Sequence, residues 1–132
     1  MSAPSPRAVS RQLVPTTRTL VQYAGASGDF YEIHYDTEIA EANGLTDLPV
    51  HGLLKLAWLV DLAEELVGEG PLLANVECRY SSIDYRHRTL TGHAQLESSD
   101  SHRILVRMWA EDDQGTVTTT ATAAFHDPAP RD

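Results

Sequence analysis

Lysine occurs once in these 132 residues, at Lys55, and cysteine once, at Cys78. With so little lysine, 10 basic side chains face 19 acidic ones, the net charge is -9, and no basic cluster forms. Such a surface repels a phosphate backbone, so nucleic acid is not an expected partner. A lone cysteine cannot close an intrachain disulfide, and Cys78, inside a strand-like pattern, reads as a small buried apolar side chain rather than a nucleophile. Residues 1–10 hold no apolar run of the kind a secretory leader needs, and a cytoplasmic protein is expected. The longest strongly apolar stretch, 53–67, is interrupted by Lys55, Asp61, Glu64 and Glu65. It is too short and too charged to span a bilayer, so no membrane is expected either.

What is present is a core. The apolar share of 42% is spread along the whole chain, which excludes general disorder. A chain of this length suits one domain, burying about 65–70% of its unfolded surface. No repeat or linker divides residues 1–132, and the proline-bearing ends, 1–10 and 127–132, are expected to be flexible tails.

Between those ends helical signals come first. A helix from Thr16 or Thr17 to about Ala26 has a threonine as N-cap, Leu20, Tyr23 and Ala24 on one face, and Gly25 and Gly28 to end it. Asp36 is placed to cap a second short helix over 37–43, with Gly44 as a left-handed stop. A third helix is expected over 52–67, apolar on most sides near its start and on one face near its end, so its first half should be enclosed. After Gly68 and Gly70 the pattern changes to strands over 72–80, 90–97, 103–110 and 116–126. In the last of these Val117, Thr119, Ala121, Ala123 and Phe125 share one face. Turn signals over 98–101 and 112–115 predict antiparallel hairpins among the final three strands. Helices first and an antiparallel sheet after them, with one very apolar helix to wrap, define an α+β domain.

The residues that carry chemistry lie on the loop after the first helix. The run Y-A-G-A-S-G-D-F-Y-E-I-H-Y-D (residues 23–36) holds Asp29 and His34 in a stretch too polar and too broken by glycine to be one helix. Singly, Asp29 suits a turn cap and His34 a packed histidine. Together they are a minimal kit for moving a proton to or from water near neutral pH. Gly52 opens the apolar helix, where backbone amides lack intrahelical partners and can face a developing anion. His51 either fixes the loop into that helix or touches a ligand. Tyr31 and Tyr35 read as packing, and Trp58 as core or interface bulk. His34, Asp36 and His51 have no metal-ligand spacing, so no metal is expected, and His87, His93, His102 and His126 form no constellation.

The same run, followed by A-x-x-x-G-L (residues 40–45) and H-G-L-L (residues 51–54), resembles the MaoC-like, or (R)-specific enoyl hydratase, family of hotdog-fold proteins, in order and spacing over about residues 16–126. The resemblance implies a curved antiparallel sheet wrapped around a central helix, usually a dimer, acting on acyl thioesters of coenzyme A or acyl carrier protein. It implies that Asp29 and His34 activate the water that adds to, or leaves from, the β-carbon. Three positions depart from the family pattern. Tyr31-Glu32 stands where hydratases commonly carry Asn-Pro. Val60 stands where many carry a serine that bonds the catalytic aspartate, and could instead make room for an acyl group. Residues 85–89 replace the usual Pro-x-x-x-Gly-Asp.

Expected, then, is a hydro-lyase of 2-enoyl or (R)-3-hydroxyacyl thioesters. Asp29 and His34 are catalytic, the Gly52 amide polarises the carbonyl, and His51, Tyr31 and Val60 shape the substrate site. No cofactor is needed, and the assembly is expected to be a homodimer, with a heteromer as the other arrangement. Two rival readings are a hotdog thioesterase using Asp61, Glu64 or Glu65, and a non-catalytic subunit of a heteromeric dehydratase.

Overall fold

The computed structural model describes residues 7–128. In chain order it contains β1 (Ala8–Leu13), α1 (Thr17–Ser27), a single 3-10 turn (Glu32–His34), α2 (Thr37–Ala42), α3 (Gly52–Val67), β2 (Leu72–Tyr80), β3 (Leu90–Ser99), β4 (Arg103–Glu111) and β5 (Val117–His126). The five strands form one antiparallel sheet in the order β1-β3-β4-β5-β2. Helix α3 lies across its inner face.

Local chemistry sets the helix ends as the sequence predicts. The Thr16 hydroxyl accepts the Thr19 amide while Thr19 Oγ1 accepts the Thr16 amide, a reciprocal N-terminal cap. Gly28, at φ 79°, closes α1 in the left-handed conformation. Asp36 caps α2 by accepting the Glu38 and Ile39 amides.

Two groups of buried side chains hold the layers together. On the sheet side, Leu59, Leu62 and Ala63 of α3 pack against Ala94, Val106, Met108, Ala110, Ala121, Ala123 and Phe125. Four of the strand residues are alanines, so the helix sits close to the sheet. At Gly92 there is not even room for a methyl: a Cβ there would meet Leu62 Cδ1 at 3.0 Å. On the loop side, Leu20, Ala40, Leu48, Val50 and Leu54 form a second group. Burying each leucine contributes about 1.5–3 kcal/mol.

Four expectations are corrected. The N-terminal tail does not extend to residue 10. Residues 8–13 form the edge strand β1, pairing Val9 with Ala94 and Leu13 with Leu90. Its pattern was hidden because Arg11, between those two on the inward side, carries a charge and reaches Asp61 and Glu65 on α3. An inward charge is one way an edge strand resists further pairing. At the other end, the Asp127 amide donates to the His102 carbonyl, so that residue is tied to the β3–β4 turn; residues 1–6 and 129–132 lie outside the described ones. Finally, α3 is not enclosed all round in its first half. Leu53 is 61% exposed, whereas Lys55 is buried. The strands of β3 and β4 also run one or two residues past their expected ends.

Candidate active site

The loop that carries Asp29 and His34 is short and tightly pinned. After Gly28 the chain turns, with the Asp29 amide donating to Ser27 Oγ and Asp29 Oδ1 accepting the Tyr31 amide. The 3-10 turn then swings His34 inward, where it is buried, while the Asp29 carboxylate stays half-exposed.

A carbonyl oxygen can only accept, so the contact of 2.8 Å between His34 Nδ1 and the Pro49 carbonyl places a proton on Nδ1. The other ring nitrogen, Nε2, then presents a lone pair, 3.9 Å from Asp29 Oδ2. That separation is too long for a direct hydrogen bond and suits a water oxygen gripped between the two atoms. One acceptor on each side of such a water, and one acceptor able to take a full proton, are what general base chemistry requires.

His51, the N-cap residue of α3, lies against this pair. Its ring stacks on His34 with centroids 3.6 Å apart and planes 19° from parallel, and the Tyr23 ring meets it edge-on at 4.9 Å. Its Nε2 faces the Asp29 carbonyl at 3.4 Å, and its Nδ1 is buried with no partner among the described residues. Burial, and then the neighbouring His34, hold the His51 pKa below the usual histidine value. His51 is therefore biased to remain neutral beside His34.

The helix start completes the site. His51 gives no side-chain cap, and the His51 carbonyl takes the amides of Leu54 and Lys55. Gly52, the first residue of α3, stands at the unpaired, positive end of the helix dipole. The Tyr80 ring lies directly over it: a Cβ on residue 52 would come within 3.1 Å of Tyr80 Cε1 and Cζ.

Of the residues singled out in the sequence, Asp29, His34, His51 and Gly52 come together. Tyr31 is exposed next to them, its ring edge-on to His34 at 6.5 Å. Val60 lies eight residues along α3, about 12 Å from Gly52 at the usual rise per residue, and packs against the sheet-side core. Asp36 is occupied as a helix cap. Asp29, His34 and His51 do place one potential ligand atom each within 4.8 Å of one another. Yet the His34 and His51 rings are stacked only 19° from parallel, so their lone pairs run along nearly parallel planes instead of toward one point. The set suits proton transfer better than a shared ion. No signal along the chain placed Tyr23, Tyr80 or the Pro49 carbonyl at this site. Lys55 was a readable signal, since a single charge inside an apolar helix face implies a buried partner.

An antiparallel sheet wrapped on a central helix is the hotdog architecture. The MaoC-like domain family model matches residues 3–124, and the chain belongs to that family. Solved structures of the same fold include an (R)-hydratase from A. caviae involved in PHA biosynthesis, 17% identical over 96% of this chain and 98% of that one, with a TM-score of 0.86. The R-hydratase PhaJ1 from Pseudomonas aeruginosa is 17% identical over 96% and 83%, with a TM-score of 0.84. A chain of the ChsH1-ChsH2 complex from Mycobacterium tuberculosis is 21% identical over 96% and 99%, also at 0.84. No curated protein matches the sequence.

Proposed function

We propose that this protein hydrates 2-enoyl thioesters, or dehydrates (R)-3-hydroxyacyl thioesters, carried on coenzyme A or acyl carrier protein. The observation that carries this reading is the pairing of His34 Nε2 with Asp29 Oδ2 across 3.9 Å, with the His34 tautomer set by Pro49. The β-carbon of an α,β-unsaturated thioester is electrophilic. Water held by Asp29 and His34 bonds to that carbon as one of its O–H bonds breaks, and its proton passes to the pair. The C=C π electrons move toward the thioester oxygen, forming an enolate that the Gly52 amide stabilises. A proton then returns to the α-carbon as the carbonyl re-forms. Dehydration runs the same steps in reverse. One such amide donor contributes about 3–4 kcal/mol, and the acid–base pair about 10²–10⁴-fold. No step calls for a cofactor. Tyr31, and Val60 further along α3, are assigned to the acyl group.

The thioesterase alternative needs Asp61, Glu64 or Glu65 in a substrate site. Asp61 and Glu65 instead share Arg11 on the surface, which favours hydration over hydrolysis. A homodimer is part of the proposal: the outer edge of β2 pairs with no described strand, and Leu53, Leu72, Leu73, Tyr80 and Ile83 are exposed. The alternative of a subunit in a heteromeric dehydratase would require an inactive isolated protein that gains activity with a partner.

The test is hydration of a panel of enoyl thioesters, from crotonyl to branched and polycyclic acyl groups, followed by loss of the conjugated double bond. Turnover by the wild type with at least a hundredfold loss in Asp29→Asn supports the proposal. Equal turnover by both proteins, or release of free thiol in place of water addition, refutes it.

A further inference from the structure

Beneath the helix start lies a group of side chains that the reaction does not use. Lys55 and Asp84 are 3% and 4% exposed, and Lys55 Nζ donates to Asp84 Oδ2 at 2.9 Å. The Thr118 hydroxyl donates to the same oxygen at 2.6 Å, and Nζ also faces the Ser82 carbonyl at 3.4 Å. Thr118 reaches Asp84 because β5 bulges there. Ala110 pairs with Thr119 and Glu111 with Val117, which leaves Thr118 as an extra residue, and both threonines are buried. A bulge of this kind re-aims a side chain.

A buried ion pair adds little net stability over well-packed apolar residues. The effect of this one is geometric. The Asp84 carbonyl accepts the Val50 amide at 2.8 Å, Pro49 bridges to Tyr85, and the Arg86 amide donates to the Leu48 carbonyl at 3.0 Å. Residues 84–86 thus lie along 48–50 as a splint. That splinted stretch contains the Pro49 carbonyl which orients His34, and two residues later it becomes the start of α3 at Gly52. Asp84 therefore grips the loop through its backbone and the helix through its side chain, one turn in from Gly52.

We propose that Lys55, Asp84 and Thr118 form a positioning network that sets the angle between the 48–51 loop and α3, and so holds the His34 acceptor and the Gly52 amide in register. All three are buried and stand apart from the Asp29, His34 and Gly52 groups assigned to the substrate. The kinetic part rests on the hydratase reading above. Displacements on the order of 1 Å at a reacting centre can cost about a hundredfold in rate, and an interaction felt only in the transition state lowers kcat more than it changes KM.

The experiment compares wild type, Lys55→Met, Thr118→Val and the double variant Lys55→Met/Asp84→Asn. The double variant removes both charges, so it stays folded where Lys55→Met alone, with Asp84 left unpaired, could unfold. With histidine labelled with nitrogen-15, the His34 Nδ1–H bound to the Pro49 carbonyl gives a slowly exchanging NMR resonance in the wild type. In the folded double variant this resonance is expected to shift or exchange at least tenfold faster. The kcat is expected to fall about 10–100-fold with KM within about threefold. An unchanged His34 resonance in the folded double variant overturns the proposal, whatever the rate. If the wild type hydrates no thioester, the functional reading fails, and the resonance alone decides the positioning role.

Discussion

The imidazoles of His34 and His51 lie face to face, 3.6 Å between centroids and 19° from parallel, at a distance where two positive charges would repel strongly. Only one of the rings can conveniently be charged. His51 is the more deeply buried of the two, and burial, with His34 beside it, biases its ring toward the neutral form.

Acid stability follows from this arrangement. The folded-state pKa of His51 lies below its ordinary value of 6.5, so between those two values the unfolded chain binds a proton that the folded chain does not. Stability contributed by neutral His51 is present above pH 6.5 and is lost as pH falls from 6.5 toward the folded value. Denaturant unfolding measured from pH 8 to pH 5 should show this decline. His51→Gln, which keeps a donor for the Asp29 carbonyl and does not titrate, should flatten it.

Asp29 and His34 should differ in what their loss does to the fold. Asp29 is half-exposed, so Asp29→Asn should leave the thermal midpoint within a degree or two, while turnover falls about a hundredfold or more. His34→Ala removes the donor from the Pro49 carbonyl, and an unsatisfied buried acceptor costs about 1–3 kcal/mol. That variant should lose both activity and stability, as thermal melts and the same assay will show.

Gly52→Ala separates a packing effect from a chemical one. The added methyl would lie 3.1 Å from the Tyr80 ring, but Tyr80 is 43% exposed and can swing aside, so the change in stability should stay within about 1 kcal/mol. Activity should fall at least tenfold, because the methyl occupies the approach to the helix amides. Combining it with Tyr80→Ala should relieve the strain without restoring turnover.

At Gly92 the neighbours cannot yield. Leu62 and Leu59 of α3 and Leu13 of β1 surround the position, and both α3 leucines are fully buried. Gly92→Ala should destabilise the fold by roughly 1–3 kcal/mol, measurable as a lower urea midpoint with an unchanged slope.

Much of this was legible along the chain. The bounds of α3 and β2, the Thr16 and Asp36 caps, and the placing of Asp29 and His34 on one short loop follow from local rules: side-chain periodicity, capping oxygens and glycine breaks. These depend on neighbours a few residues away. What depends on distant residues was not legible. Strand β1 becomes a strand only because β3 offers it an edge, and Arg11 faces inward only because Asp61 and Glu65 wait on α3.

The sequence by itself determined an α+β domain of acidic composition, with Asp29 and His34 on one loop ahead of an apolar helix. Tertiary structure alone decided that Pro49 sets the His34 tautomer, that His51 stacks on it, and that the single lysine is buried against Asp84 and Thr118. The physical reason is that hydrogen-bond direction and desolvation are properties of a place in space. Pro49 and His34 are 15 positions apart and Lys55 and Thr118 are 63 apart, and only the folded chain brings each pair to within reach.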